Sequence, residues 1–282
     1  MRSRFVALAV ACRLAGIVVA FCVSGWAAAA PQVVVPLAKA HSHNDYLHPR
    51  PLLDALDQGF TSVEADIFPV DGKLLVGHTR NSLKPDRTLE ALYLQPLAER
   101  VRENGGRVFK GSDRFFLLID IKRNPQDAYH ELKPLLAKYR EMLTSVEAGK
   151  VRPGAVTVVL TGYTPQLESA EAGPRFASLD GRVADLESQS PADVLSMISD
   201  NWTTQFRWNG KGPMPESERE KLQKIVTKAH AAGRIVRFWA APDNEDVWRE
   251  LNSAGVDLIN TDQLSRLAKF LRESGGRPTQ AK

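Results

Sequence analysis

Short apolar runs alternate with amphipathic helical patterns from residue 33 to residue 272. Eight of the runs are typical of strands: Val33–Ala40, Thr61–Phe68, Phe115–Ile121, Val156–Thr161, Phe176–Asp180, Thr204–Trp208, Arg234–Ala240 and Val256–Asn260. Repeated alternation of strand and helix predicts a parallel sheet with helices outside it. Eight such units in roughly 250 residues match the size of a closed barrel. We therefore predict an α/β fold, a single (β/α)₈ TIM-type barrel over residues 31–273.

Eight helices are expected between and after these strands. Their predicted ranges are Leu52–Gln58, Thr88–Glu103, Gln126–Leu143, Pro165–Ala172, Pro191–Asp200, Ser217–Ala231, Asn244–Asn252 and Gln263–Arg272. Asp71-Gly72 marks a tight turn, and Lys73–Val76 is extended after it. A doubly wound open sheet is the alternative fold, but the chain has no glycine-rich phosphate loop to favour it.

The first 30 residues have the pattern of a secretory signal. Arg2 and Arg4 form a basic start, and the apolar run Phe5–Ala30 ends in small residues just before Pro31. Such a run predicts a cleaved signal and an exported protein, periplasmic or secreted. An uncleaved membrane anchor is the alternative, because the run is long enough to span a bilayer. At the other end, residues 274–282 are expected to be a disordered tail.

Removal of this segment changes what the composition implies. The chain has 37 basic and 33 acidic side chains; without Arg2, Arg4 and Arg13, 34 basic residues remain, a net charge of +1. A nearly neutral protein gives no reason to expect a nucleic-acid partner. Cys12 and Cys22 also lie in the removed segment, so the mature chain would have neither disulfides nor thiol chemistry. It would also keep no stable membrane span.

Candidate chemistry appears at the carboxyl ends of the second and third strands. Side chains alternate between the two faces of a strand. In VEADIF the apolar positions share one face, while Glu64 and Asp66 lie on the other. In FFLLIDIK the face that begins with Phe116 ends with Asp120 and Lys122. The catalytic residues of such barrels gather at these strand ends, so we expect these charged side chains to meet in the mouth of the barrel.

Three carboxylates that point into one mouth repel one another unless a cation or a proton compensates them. We therefore predict that Glu64, Asp66 and Asp120 bind one divalent cation. Oxygen ligands favour a hard ion, Mg²⁺ or Ca²⁺, over zinc. The alternative is that some of these acids are solvated strand ends or ion-pair partners, and Lys122 is an obvious partner for Asp120.

Histidines near the same mouth are candidates for proton transfer. His41 and His43 end the first strand, and His78 follows the extended segment after the second strand. Histidine suits general acid–base catalysis because its ordinary pKa is near neutral. His130 and His230 lie on predicted helices and are set aside.

Several motifs together resemble the glycerophosphodiester phosphodiesterase-like superfamily, which also includes the spider sphingomyelinase D toxins. They are HSHNDY, GFTSVEADIFPVDGKLLVGH and LLIDIK, with VRFWAAPDNEDVWRELNSAGVDLINTD near the end of the chain. The chain looks most similar to the altered-inheritance-of-mitochondria protein 6 family. The resemblance covers both ends of the mature chain, and its middle is less distinctive.

The resemblance implies specific roles for the residues that match. His43 and His78 correspond to the catalytic pair, Lys122 to a phosphate-contacting lysine, and the acids to the metal ligands: Glu64, Asp66 and Asp120. Two departures stand out. His43-Asn44-Asp45 replaces the usual His-Arg-Gly, so the arginine of that motif is lost, and an aspartate replaces a common glutamate at position 120. Glycerophosphodiester specificity therefore does not transfer.

The pocket is expected to include further side chains near strand ends. Trp239 occupies a position where the superfamily places a pocket-wall tryptophan, and Arg237 lies two residues before it. Asn44 offers an amide to the metal or the phosphate, or serves a turn beside Asp45.

These observations predict an exported, metal-dependent phosphodiesterase that acts on a small-molecule or lipid phosphodiester through two histidines, with a cyclic phosphate as one route. A neighbouring substrate hydroxyl would attack first on that route. Three alternatives stay open. His41 and His43 also fit the H-x-H metal motif of amidohydrolase barrels, a metal-free phosphoinositide phospholipase C is a near relative, and a binding domain without turnover is a third class. The sequence specifies neither the head group nor the oligomeric state.

Overall fold

Eight parallel strands close into a barrel in the computed structural model, which describes residues 34–112, 114–167 and 173–275. In chain order the strands are β1 (Leu37–Ser42), β2 (Phe60–Val70), β3 (Lys73–Val76), β4 (Phe116–Ile121), β5 (Ser145–Glu147), β6 (Lys150–Arg152), β7 (Thr157–Gly162), β8 (Ala177–Gly181), β9 (Leu195–Asn201), β10 (Ile235–Trp239) and β11 (Leu258–Thr261). Around the barrel the order is β1, β2, β4, β7, β8, β9, β10 and β11, and β11 pairs with β1. The predicted TIM-type barrel is confirmed.

The remaining strands and the helices lie outside this ring. β3 is antiparallel to β2, as the Asp71-Gly72 turn predicts, and β5 with β6 forms a separate hairpin. The helices are α1 (Leu53–Asp57), α2 (Gln95–Glu103), α3 (Pro125–Lys138), α4 (Trp202–Gln205), α5 (Glu216–Ala231), α6 (Glu245–Ser253) and α7 (Leu264–Gly275). Single helical turns cover Asp45–Leu47, Arg80–Ser82, Glu90–Leu94 and Val183–Glu187. The helix α6 begins where the Asn244 side chain accepts hydrogen bonds from two backbone N–H groups.

Strand alternation divides the apolar side chains into two cores. Val63, Ala65 and Ile67 point outward and are fully buried beneath the helices, as predicted. A smaller cluster fills the lower interior of the barrel: Leu118, Val159, Met197 and Leu258. The strands are therefore polar inside only near their carboxyl ends, above this apolar plug.

The sixth barrel strand lies earlier in the chain than the sequence predicted. Pro191–Asp200 was expected to be a helix, but Leu195–Asn201 forms β9. Thr204–Trp208 was expected to be the strand, but Trp202–Gln205 forms the short helix α4. A short apolar run fits a buried strand and a buried helix equally well, so periodicity alone could not assign it.

Other predicted segments fall wholly or partly outside the described residues. Residues 165–167 are not helical, and the rest of the helix predicted there is not described. The proposed signal segment lies before residue 34. α7 continues to Gly275, two residues into the predicted tail. Within the described ranges, no helix is both long and apolar enough to cross a bilayer.

The placement of β9 can be tested by stability measurements. Met197→Ala should lower the free energy of unfolding by about 2–5 kcal/mol, because it leaves a cavity in the barrel interior. Arg207→Ala, an exposed position in the segment first predicted as the strand, should change it by less than about 0.5 kcal/mol. Urea unfolding of both variants provides the comparison. Equal losses would contradict the observed register.

Candidate active site

Strand register brings polar side chains to one level of the barrel mouth. Asp66 of β2 is the direct neighbour of Asp120 of β4, and Asp120 is the neighbour of Thr161 of β7. On the next strand Asp180 accepts a hydrogen bond of 2.7 Å from the Thr161 hydroxyl. Four adjacent strands therefore carry polar groups at the same height, immediately above the apolar interior.

The acids predicted to bind metal form one cluster. A carboxylate oxygen from each of Glu64, Asp66 and Asp120 lies within 4.8 Å of the others. Burial and the neighbouring Glu64 charge raise the pKa of Asp66 to about 6, and the same causes raise that of Asp120. Oδ1 of Asp66 is buried and has no hydrogen-bond partner among the described residues. A hard divalent cation fits these oxygens, because it would satisfy that atom and offset the repulsion.

Two protein cations already share this space. Nζ of Lys122 lies 2.8 Å from Asp66 and 3.2 Å from Asp120. Nη2 of Arg237 donates to Glu64 at 2.5 Å, and both side chains are almost fully buried. Burial acts to raise the pKa of Glu64, but Arg237 and the nearby histidines outweigh it and hold the pKa well below its usual range. Glu64 is therefore ionised at neutral pH.

The charges of these side chains favour a further cation when an anionic ligand binds. Glu64, Asp66 and Asp120 contribute three negative charges, and Lys122 with Arg237 contributes two positive ones. With neutral histidines the group keeps one net negative charge and would repel a phosphodiester. One divalent cation would reverse that sign and attract the monoanion.

The two histidines of HSH lie in different environments. His41 is fully buried, its Nδ1 is 2.7 Å from the Ser62 hydroxyl, and its Nε2 is 3.5 Å from Glu64. Burial, helped by Arg237, lowers the pKa of His41 to about 4, so this ring is neutral. His43 is 29% exposed and lines the cleft. The position that the resemblance assigned to catalysis is the accessible one.

His43 is oriented by Asp262, which follows β11. A carboxylate can only accept, so Nδ1–H of His43 donates to Asp262 over 2.9 Å and Nε2 is left free. Burial acts to lower the pKa of His43, but Asp262 and Glu64 more than offset it, and the pKa is raised. The hydrogen bond from His43 lowers the pKa of Asp262.

His78 is held in the same way on the other side of the cleft. Its Nδ1 lies 3.2 Å from Asp66 and 3.0 Å from the Tyr46 hydroxyl. Tyr46 is itself buried and donates to Asp66 at 2.6 Å. These contacts occupy Nδ1, so the Nε2 atoms of both cleft histidines are available for proton transfer.

One cleft of about 370 Å³ contains most of the predicted site residues. Its lining includes both accessible histidines, Glu64, Asp120, Lys122, Arg237, Asn44 and Trp239, together with Tyr163 and Arg182. Asp66 lies beneath it. Asn44 adopts the left-handed conformation, φ 48°, and its Oδ1 lies 2.7 Å from the Tyr46 hydroxyl, so it serves the turn while it faces the cleft.

Gly162 at the end of β7 makes room for the carboxylate of Asp120. Its φ is +74°, and a Cβ atom there would lie 2.1 Å from Oδ1 of Asp120. That distance is far below van der Waals contact. Only glycine allows Asp120 its observed position, which explains the residue type on steric grounds.

Sequence reasoning missed three contributors to this site. Tyr46 stands inside the HSHNDY motif but was not assigned a role. Asp262 immediately precedes the predicted helix Gln263–Arg272 and was assigned no role in the site, and Gly162 was not singled out. All three follow the carboxyl end of a barrel strand closely, and that position is the signal that would have found them.

The fold and the cleft together define a phosphodiesterase-type barrel. The sequence profile of the AIM6-like phosphodiesterase domain matches residues 30–172, and that of the glycerophosphoryl diester phosphodiesterase family matches residues 236–265. The chain belongs to the AIM6-like phosphodiesterase family, as the motifs predicted.

Named relatives support this assignment. Altered inheritance of mitochondria protein 6 of Eremothecium gossypii is 30% identical over 270 residues, which cover 83% of this chain and 69% of that protein. A homolog from Arthroderma benhamiae is 29% identical over 266 residues, which cover 82% of this chain and 83% of that protein.

A solved structure of low sequence identity shares the fold, and a second one was found to be similar. A calcium-dependent phosphoinositol-specific phospholipase C from Pseudomonas sp. aligns with a TM-score of 0.50 at 14% identity, covering 82% of this chain and 91% of that one. A glycerophosphodiester phosphodiesterase from Agrobacterium tumefaciens aligns with a TM-score of 0.49 at 16% identity, covering 84% of this chain and 99% of that one.

Substitution of Gly162 should weaken cation binding. Gly162→Ala forces the Asp120 carboxylate to move, so we expect affinity for Mn²⁺ or Ca²⁺ to fall about 10-fold or more in isothermal titration calorimetry. Gly72→Ala is the matched control, because its φ is +72° and nothing lies within 4 Å of its Cβ position. Both variants place alanine at a similar positive φ, but only at position 162 does the added Cβ meet other atoms, the Asp120 carboxylate and the Ile121 carbonyl 2.7 Å away. If both bind cations like the wild type, Asp120 does not depend on Gly162.

The contact between Asp262 and His43 should be visible in titrations. Asp262→Asn removes a charge that raises the pKa of His43, so the NMR titration midpoint of His43 should move to lower pH. His230 on α5, 2.8 Å from Asp257 and outside the cleft, is the reference histidine, and its NMR signals should be the same in both proteins. An unchanged His43 midpoint would exclude Asp262 as its partner.

Proposed function

We propose that this protein is an exported, metal-dependent phosphodiesterase that cleaves a small-molecule or lipid phosphodiester by two-histidine acid–base catalysis. One observation carries the proposal. The accessible histidines, His43 and His78, line one cleft with a buried cluster of three carboxylates, and both have their Nδ1 atoms engaged by neighbouring groups. The phosphodiesterase family of the chain supports the reaction class.

Glu64, Asp66 and Asp120 would hold one Mg²⁺ or Ca²⁺ ion. The ion would neutralise charge on a non-bridging oxygen of the substrate. The unpartnered Oδ1 of Asp66 and the all-oxygen set of ligands support this assignment. Arg237, being bonded to Glu64, limits how that ligand can turn.

Arg237 can replace the arginine that is missing from the His-Arg-Gly motif. Its Nε donates to Asn260 at 3.0 Å and its Nη2 donates to Glu64, whereas Nη1 is buried without a partner among the described residues. Arg237 also lines the cleft. An oxygen of the substrate phosphate would satisfy Nη1, and Lys122 would add a second positive contact.

The histidines would divide the proton transfers. One Nε2 atom takes the proton from the attacking hydroxyl, and the Nε2 of the other histidine gives a proton to the leaving oxygen as its bond to phosphorus breaks. When the attacking hydroxyl belongs to the substrate, the product is a cyclic phosphate. When it belongs to water, the products are a phosphomonoester and an alcohol.

The positions of the later histidines disfavour the amidohydrolase alternative, because an H-x-H metal site needs further histidines at later strand ends. His41 itself is fully buried, with Nδ1 2.7 Å from the Ser62 hydroxyl and Nε2 3.5 Å from Glu64. His130 and His230 lie on the outer helices α3 and α5 rather than in the cleft. The case for export rests on the basic and apolar pattern of the first 30 residues.

A panel of diesters provides the test. The mature protein should hydrolyse at least one of glycerophosphocholine, glycerophosphoinositol, lysophospholipid, sphingomyelin and bis-p-nitrophenyl phosphate. EDTA should abolish the reaction and Mg²⁺, Ca²⁺ or Mn²⁺ should restore it. His43→Ala and His78→Ala should each lower kcat about 100- to 10,000-fold, because each removes a proton-transfer group.

His130→Ala is the control, since it removes an exposed histidine from α3 and should leave turnover unchanged. Circular dichroism would verify that all variants fold. Turnover that persists in EDTA, or in the double histidine variant, would refute the mechanism. Absence of turnover on every diester, with cation binding retained, would favour the binding-domain alternative.

A further inference from the structure

Arg182 lies at the rim of the same cleft, two strands along the barrel from Asp120. It directly follows β8, which is separated from β4 by β7 and from β2 by β7 and β4. It nevertheless lines the same cleft as Lys122 and His78. The cleft volume of about 370 Å³ is within the range of small-molecule sites, so the cleft accommodates more than a reacting phosphate.

The guanidinium of Arg182 makes its hydrogen bonds to the described residues through one of its own nitrogens, Nη1. Its Nη1 donates to Oδ2 of Asp180 at 3.0 Å and to the Ser199 carbonyl at 3.0 Å. In the described part of the chain, its Nε and Nη2 have no hydrogen-bond partner, and 38% of the side chain is exposed. The Asp180 carboxylate is fully buried beneath it. The cleft is therefore lined by the Arg182 guanidinium with its unpaired N–H groups, and not by the Asp180 carboxylate.

The segment that carries Arg182 is fixed to the barrel. Buried Arg234, at the start of β10, donates to three carbonyls of this segment, those of Asp185, Ser188 and Ser190, over 2.8–2.9 Å. The backbone N–H of Val183 donates to Asp200 at 2.9 Å. A receptor group that is fixed before binding loses little conformational freedom when the ligand arrives.

We infer that Arg182 binds a second anionic group of the substrate, a phosphomonoester or a carboxylate on the part of the molecule distant from the reacting phosphate. The inference rests on the proposed function, which places the reacting phosphate at the carboxylate cluster. The unpaired N–H groups of a guanidinium can donate parallel hydrogen bonds to two oxygens of a phosphate or a carboxylate. A head group with a quaternary ammonium would meet a like charge at this position and is disfavoured.

Two substrates that differ by one phosphate test this specificity. Wild-type protein should cleave glycerophosphoinositol 4-phosphate with a kcat/KM about 10- to 100-fold higher than glycerophosphoinositol, because of one charge-assisted contact. Arg182→Ala should remove this ratio by lowering kcat/KM on the 4-phosphate toward the value for glycerophosphoinositol. Arg182→Lys should keep part of this preference in kcat/KM for the 4-phosphate. Arg207→Ala, which removes an exposed cation outside the cleft, should keep all of it.

Equilibrium binding separates this inference from the proposed function. Inositol 1,4-bisphosphate should bind wild type more tightly than inositol 1-phosphate, and Arg182→Ala should abolish the difference. If no diester is cleaved but this difference is seen, the proposed function fails and the anion site stands. If wild type shows no preference in turnover and binding, or if Arg182→Ala weakens both ligands equally, the inference is wrong.

Discussion

Mutual repulsion of three carboxylates is the constraint on which the mouth of this barrel depends. Oxygens of Glu64, Asp66 and Asp120 lie within 4.8 Å of one another and are largely removed from water. Two protein cations offset part of this charge, and the remaining negative charge is what makes a divalent ion fit. Arg237 forms a buried ion pair with Glu64. Removal of one partner of such a pair typically destabilises a protein by about 3–5 kcal/mol.

The histidines proposed for catalysis are arranged around that charge. Asp66 orients His78 together with Tyr46, and Asp262 orients His43 from the opposite side. Each histidine therefore has a defined ring orientation, and Nε2 is the atom left for the substrate. His41 serves differently, because it is buried and neutral against Glu64. The acid cluster thus forms the predicted cation site and orients His78 through Asp66, whereas His43 is oriented by Asp262 from outside the cluster.

Much of the fold and the site could be predicted because period-two patterns report directly on which face a side chain occupies. That rule placed Glu64, Asp66 and Asp120 in the mouth, and the motifs placed His43 and His78 there. It could not assign β9, since Leu195–Asn201 is a short apolar run that fits a helix as well. Asp262 and Arg182 were missed because neither has a pattern of its own; each matters through a partner brought near by the closed barrel.

The sequence by itself determined the barrel class, the family and the residue types of the acid cluster, since these depend on local alternation and contiguous motifs. Only the tertiary structure decided which groups meet across the ring. Arg237 reaches Glu64 over 173 positions of sequence, and His43 reaches Asp262 over 219. No local pattern encodes such pairs, because they follow from strand register and barrel closure, which are properties of the whole chain.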